Sequence, residues 1–240
     1  MEVALTTTAS SHARRVRVWD LSIRLFHWLL VAGITLCFLT SDDDASVSAW
    51  HVRIGWVVAG LIAFRLVWGL IGGEHARFVN FVRPSQIAEH VRNLLRGSVE
   101  PSLGHNPLGA ISVIVLLGLI VAAVATGVAG RGGVHEAITY ALLVFIVAHV
   151  IGVVLMSLLT RDNLVSAMVT GYKDASRHPR ARDADPPARL AAPAAVIAIA
   201  VAIYGANKLG LSSAPQRPEL DKSTSRNVLQ EAGETPSGDD

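Results

Sequence analysis

Residues 134–160, VHEAITYALLVFIVAHVIGVVLMSLLT, form one apolar run, and crossing a bilayer as a helix takes roughly 20 such residues. The run carries His135 and His149, fourteen residues apart. Helical geometry places the two about 40° apart around the axis and roughly 21 Å apart along it. They share one face at two depths, one near a membrane surface and one well inside. An ionisable side chain at membrane depth is costly and marks a functional site. Two on one stripe require partners elsewhere in the chain.

Hydrophobic residues make up 51% of the chain, charged residues 17%, and mean hydropathy is +0.44. That balance belongs to an integral membrane protein, not a soluble domain. The net charge is only +2 and the bases lie in loops, which argues against nucleic acid as a partner and leaves membrane lipid. Cys37 is the sole cysteine. An internal disulfide, a CxxC redox pair, a CxxCH haem attachment and an iron–sulfur cluster held by this chain are thereby excluded. The N-terminal residues lack the charged-then-apolar order of a signal peptide, so the first hydrophobic helix is expected to direct insertion and stay.

Four further membrane segments are expected besides a cytoplasmic N-terminal stretch over 1–16, or three if only the core is counted with residues 134–160. The first spans 21–40, preceded or opened by Arg14, Arg15, Arg17 and Arg24 and followed by Asp42, Asp43 and Asp44. The positive-inside rule puts the N-terminus in the cytoplasm and the acidic turn outside. Trp19 and Trp28 suit an interfacial aromatic belt. The second segment, 50–71, returns inward, with His51 at its outer end and Arg65 near its inner end. A loop over 72–106 is marked cytoplasmic by Arg77, Arg83, Arg92 and Arg96, and PSQIAEHVRNLLRG from Pro84 reads as an amphipathic helix on the inner face. Asn106-Pro107 is a strong helix start for the third segment, 107–129. GRGG, 130–133, makes the tight outer turn before the 134–160 helix.

The core domain therefore covers 17–174. A basic, Pro-rich linker, 175–189, is expected to be flexible. Ala-rich residues 190–210 are expected to make a fifth crossing, interrupted at Pro193, and 211–240 a polar, disordered tail outside. The fold class is thus all-α and integral to the membrane: a four-helix bundle plus a fifth C-terminal transmembrane helix.

Topology sorts four histidines by depth. His51 and His135 open helices at the outer side, while His27 and His149 lie in the inner half. Two pairs at two heights, drawn from three helices, are what is needed to hang two b haems in a bundle, each iron taking an imidazole from either side. A lone interfacial histidine is more often a solvated surface residue, but His149 sits in an otherwise apolar run. The remaining histidines (His12, His75, His90, His105 and His178) lie in loops, the linker or beside a helix cap. Haem propionates want cations near the surfaces, and Arg53 and Arg131 are available outside, Arg24 and Arg65 inside. The same arginines also read as plain positive flanks. Gly33 and Gly55 read equally as room for a macrocycle or as simple helix packing. His135-Glu136 does not open a zinc HExxH motif, since Thr139 stands at the fifth position.

These stretches also resemble a known family. RVWDLSIRLFHW (17–28), HVRIGW (51–56), FRLVWGLIGGEHARF (64–78), GHNPLGA (104–110), HE (135–136), AHVIGV (148–153) and NLVSAMVTGYK (163–173) are similar to the bacterial di-haem cytochrome b561 family, which includes the cytochrome b subunit of nickel–iron hydrogenases. The resemblance covers about residues 16–174. It implies two b haems, ligand roles for His27, His51, His135 and His149, and electron exchange with the quinone pool. The fifth segment and tail depart from the hydrogenase pattern. The expected function is electron transfer through two haems between quinone and a periplasmic partner, a c-type cytochrome or a hydrogenase. A superoxide-oxidising, quinone-reducing enzyme stands as the alternative, a haem-stapled membrane anchor as a third reading, and a homodimer is compatible with either.

Overall fold

Long apolar runs closed by polar caps determine where the helices begin and end. The computed structural model describes residues 15–41, 45–81, 92, 93, 96, 103, 104, 106–177 and 182–189, with Pro193, Val196, Ile197, Ile199, Ala200 and Tyr204 beyond them. In chain order the helices are α1 (Leu21–Leu39), α2 (Ala45–Ile71), α3 (Phe78–Phe81), α4 (Pro107–Val128), α5 (Gly132–Thr160) and α6 (Leu164–Thr170). Among the described residues, α1, α4, α5 and the Val47–Ile71 part of α2 are long and apolar enough to cross a membrane. The side chain of Asp20 accepts from the Ile23 N–H at 2.8 Å to start α1, and Asn106 accepts from the Gly109 N–H at 2.6 Å to start α4. Each supplies an acceptor to an N–H that has no partner inside its helix. Gly130, at φ +66°, turns the chain between α4 and α5.

Close packing pairs α1 with α2 and α4 with α5, and the two hairpins meet through α2 and α4. Gly33 permits the first pairing, because a Cβ there would stand 2.9 Å from Val58 Cγ2. Of the two readings of Gly33, helix packing is the one observed. The core joins Ile23 and Phe26 of α1, Val58, Ile62 and Trp68 of α2, Leu117 and Ile120 of α4, and Leu142 of α5. Outward-facing Leu25, Leu29, Val144, Val147 and Leu155 are exposed, as side chains that face lipid must be.

One end of the bundle carries a cap that the all-helical reading does not contain. Strand β1 (Arg15–Arg17) pairs antiparallel with β2 (Tyr172–Asp174), Val16 opposite Lys173. The carbonyl of Gly171 accepts from the N–H groups of Val18 at 2.8 Å and Trp19 at 3.2 Å. Gly171 ends α6 at φ +90°, a conformation that favours glycine. Lys173 pairs with Asp162 at 3.5 Å, both side chains about 95% buried. Burial pushes the Lys173 ammonium below its ordinary pKa range, and Asp162 opposes that shift.

Two expectations change at this end. Trp19 is only 7% exposed and is a core residue, not part of an aromatic belt; its ring stands edge-on to His75 at 6.2 Å. The linker is not free over 182–189. Asp183 accepts from the Arg17 N–H at 2.7 Å, the Asp185 N–H donates to Glu74 at 3.0 Å, Arg182 bridges Glu74 and Asp185, and the Ala188 N–H donates to the Ile71 carbonyl at 3.3 Å. Carboxylates and backbone donors in specific positions hold a Pro-rich segment that composition alone assigns to flexibility. The acidic turn at 42–44, most of the amphipathic stretch from Pro84, the tail, and His12, His90, His105 and His178 lie outside the described residues.

The buried ion pair generates a stability prediction. Lys173→Ala removes the cation from a buried carboxylate and is expected to destabilise the protein by about 3–5 kcal/mol, whereas Lys173→Met with Asp162→Leu recovers most of that loss. Thermal unfolding in detergent checks both, and a single substitution without effect refutes the structural role.

Candidate functional site

An imidazole placed among apolar helices must satisfy both ring nitrogens. At the uncapped end, His51 stands in the second turn of α2 and His135 in the first turn of α5. Their rings face one another with centroids 6.0 Å apart and planes at 84°. Nδ1 of His51 lies 2.9 Å from the carbonyl of Cys37 on α1, and Nδ1 of His135 lies 2.8 Å from the carbonyl of Ala123 on α4. A carbonyl only accepts, so both Nδ1 atoms carry the proton and both Nε2 atoms keep a lone pair. Second-nitrogen bonds of this kind are how metal-ligating histidines are oriented. The approach of His135 to α4 depends on Gly127, where a Cβ would stand 3.2 Å from Nδ1.

Nearer the capped end, His27 stands on α1 and His149 on α5. His149 Nδ1 is 2.8 Å from Ser112 Oγ on α4. His27 packs edge-on against Trp28 at 5.1 Å, and its Nδ1 is buried with no hydrogen-bond partner among the described residues. The structure thus brings His51 and His135 face to face across the two hairpins, with His27 on the first hairpin and His149 on the second.

These residues fit haem iron. Two imidazoles on opposite faces of one metal have ring centres roughly 6 Å apart, given metal–nitrogen bonds of about 2.0–2.1 Å; the 6.0 Å between His51 and His135 matches that span. The pairs are two-donor sets, and among the described residues no three His, Cys, Asp or Glu side chains gather into a metal cluster. Two donors suit an iron whose other ligands come from a macrocycle. α5 packs on α4 but has no extended packing with α1 or α2, the helices whose histidines it faces. A Cβ on half-buried Gly55, one turn along α2 from His51, would meet nothing within 4 Å.

The four arginines fall into two groups. Arg53 is exposed and stacks over Trp50 at 5.1 Å, and Arg131 is exposed at the start of α5 without a side-chain capping bond. At the capped end Arg24 donates to the Val169 carbonyl, with its Nε buried and unpartnered among the described residues. Arg65 is 2% exposed, lies over the Phe78 ring at 4.5 Å, and has a buried Nη1 with no partner among the described residues. Sequence reasoning missed Ser112 and the carbonyls of Cys37 and Ala123. No sequence pattern marks a carbonyl.

A family model for prokaryotic cytochrome b561 matches residues 18–171, which run from β1's neighbour Val18 through all four apolar helices to Gly171. A probable Ni/Fe-hydrogenase B-type cytochrome subunit of Bradyrhizobium diazoefficiens is 23% identical over 211 residues, covering 66% of this chain and 85% of that protein. A protein of the same description from Rhodobacter capsulatus is 23% identical over 213 residues, covering 66% of this chain and 81% of its own length. No solved structure matches the chain. With four apolar helices and histidines paired across them, the chain belongs to the prokaryotic cytochrome b561 family and is a multi-pass membrane electron-transfer protein that carries haem b.

Proposed function

We propose that the chain carries electrons across the bacterial cytoplasmic membrane through two b haems, an outer one held by His51 and His135 and an inner one held by His27 and His149. The observation that carries this reading is the facing of His51 and His135, with both Nδ1 atoms committed to carbonyls and both Nε2 atoms left for iron. A haem held by one imidazole from each helix would supply one-electron transfer and leave no open site for other chemistry. The haem supplies the redox step. The chain's residues supply orientation through Cys37, Ala123 and Ser112, and a dry core between the levels.

Orientation follows charge. The capped end collects Arg15, Arg17, Arg24, Arg77 and Arg182 and is placed in the cytoplasm by the positive-inside rule. Arg24 and Arg65 are assigned to the inner haem's propionates, supported by their buried, unpartnered nitrogens; Arg53 and Arg131 are assigned to the outer haem's. One end exchanges electrons with quinone and the other with a periplasmic redox protein. The two hydrogenase-subunit relatives favour a hydrogenase in that role, while the acidic tail favours a cationic partner such as a c-type cytochrome.

Reduced-minus-oxidised spectra with pyridine haemochrome quantitation are expected to give two low-spin b haems per chain. His51→Ala and His149→Ala should each lose a different one, and a single haem, or two lost together at random, overturns the pairing. Gly127→Val is expected to copy the spectrum of His51→Ala, because a branched side chain there presses on the His135 ring. Truncation after Gly210 should leave both haem spectra unchanged while slowing electron exchange with the periplasmic partner at low ionic strength; unchanged exchange removes the tail from the docking surface.

A further inference from the structure

Helices α2 and α5 run in the same direction, both starting from the uncapped end, where His51 and His135 face one another at 6.0 Å. Fourteen residues along α5 from His135 comes His149, and fourteen along α2 from His51 comes Arg65. Equal advance from one level, about 21 Å in each helix, brings Arg65 to the depth of His149. The same count turns both side chains by about 40°, so Arg65 stays on the His51 face of α2.

Arg65 is 2% exposed, lies over the Phe78 ring at 4.5 Å and makes no ion pair among the described residues. Asp20 comes to this end of α2 through the bond from Trp68 Nε1 at 3.2 Å, and its other oxygen accepts from the Ile23 N–H at 2.8 Å. At the outer level the cations differ in kind. Arg53 and Arg131 are exposed there, where water and salt screen them. A charge held away from water acts several times more strongly on its neighbours than one in water. A fixed positive charge favours whichever state of a nearby metal holds one more electron.

The second nitrogens of the histidines point the same way. His51 and His135 donate from Nδ1 to carbonyls, of Cys37 at 2.9 Å and Ala123 at 2.8 Å. Nδ1 of His149 meets the Ser112 hydroxyl at 2.8 Å, and Nδ1 of His27 is buried with no partner among the described residues. A carbonyl that accepts from Nδ1 makes the other nitrogen a stronger donor, which favours the oxidised metal. A hydroxyl accepts less strongly and can turn to donate. We propose that the inner level is the stronger electron acceptor of the two, with buried Arg65 as the main cause and the hydroxyl contact of His149 as the lesser one. This rests on the two-haem reading and adds to it the order of the two potentials.

An anaerobic redox titration followed optically, on the full chain in lipid nanodiscs, tests the order. The haem left in His51→Ala should titrate above the haem left in His149→Ala. Arg65→Gln should lower the upper midpoint alone, changing its ferrous-to-ferric ratio at a fixed potential by about tenfold, which is about 59 mV for one electron. Arg65→Lys should restore most of that shift. Ser112→Asn, which offers a carbonyl to His149, should lower the same midpoint by less, and Ser112→Thr, which keeps the hydroxyl, should not. Pyridine haemochrome content reports the loading of every variant, and the order itself is read with Arg65 in place. Two haems with equal or reversed midpoints overturn the inference. So does a fully loaded Arg65→Gln protein whose midpoints both stay or fall together. One haem per chain overturns the two-haem reading itself, and the inference with it.

Discussion

The structure depends on a polar requirement inside an apolar bundle: the imidazoles of His51 and His135 each need a partner for the second nitrogen. His51 finds it in the Cys37 carbonyl of α1, and His135 in the Ala123 carbonyl of α4. Each bond runs within a hairpin, so each hairpin orients its own ring before the two meet. The rings then face across the hairpins at 6.0 Å. Tight packing inside the hairpins and lighter packing between them follows from the same division. A flat apolar ligand between the hairpins adds the contacts that the protein alone does not make there, and a ligand bound only by the folded state stabilises it.

The cap answers a different problem. Nothing in the chain directly connects the start of α1 to the end of α5. β1 precedes α1 and β2 follows α6, so their pairing ties the first hairpin to the second. Asp20 serves twice, capping α1 at Ile23 and accepting from Trp68 Nε1 at 3.2 Å, which fixes α1 against α2. Residues 182–185 then close over Arg17 and Glu74. These interactions fix the ends of α1 and α2 against the segment that follows α6.

Hydrophobic length made the four apolar helices legible, and their ends differ from expectation mainly at α2, which begins at Ala45 rather than Trp50. Depth along those helices made the facing of His51 and His135 legible, because position in a straight helix follows from residue number. What stayed hidden depends on contacts between distant segments. The β1–β2 pair is three residues long on each side, too short for alternation to register. Asp183 and Glu74 are far apart in sequence, and no local pattern announces their shared role in holding the 182–189 segment. Ser112 reads as one small polar residue on an apolar helix until His149 is seen 2.8 Å away. Trp19 looked interfacial because tryptophan is common there; its burial follows from the cap, which covers that end of α1.

The space between the histidine levels determines what can cross the membrane here. Seven residues separate His135 from Leu142 and seven more reach His149, so Leu142 stands about 10 Å from each level. Leu142 is 4% exposed and belongs to one cluster with Val58, Ile62, Leu117 and Ile120. None of these side chains gives or accepts a hydrogen bond, so they offer no chain of groups along which a proton can pass. Electrons need no such chain. A layer of this kind passes no proton between the depth of His135 and the depth of His149, so the bundle is apolar at the depth that separates the two histidines of α5.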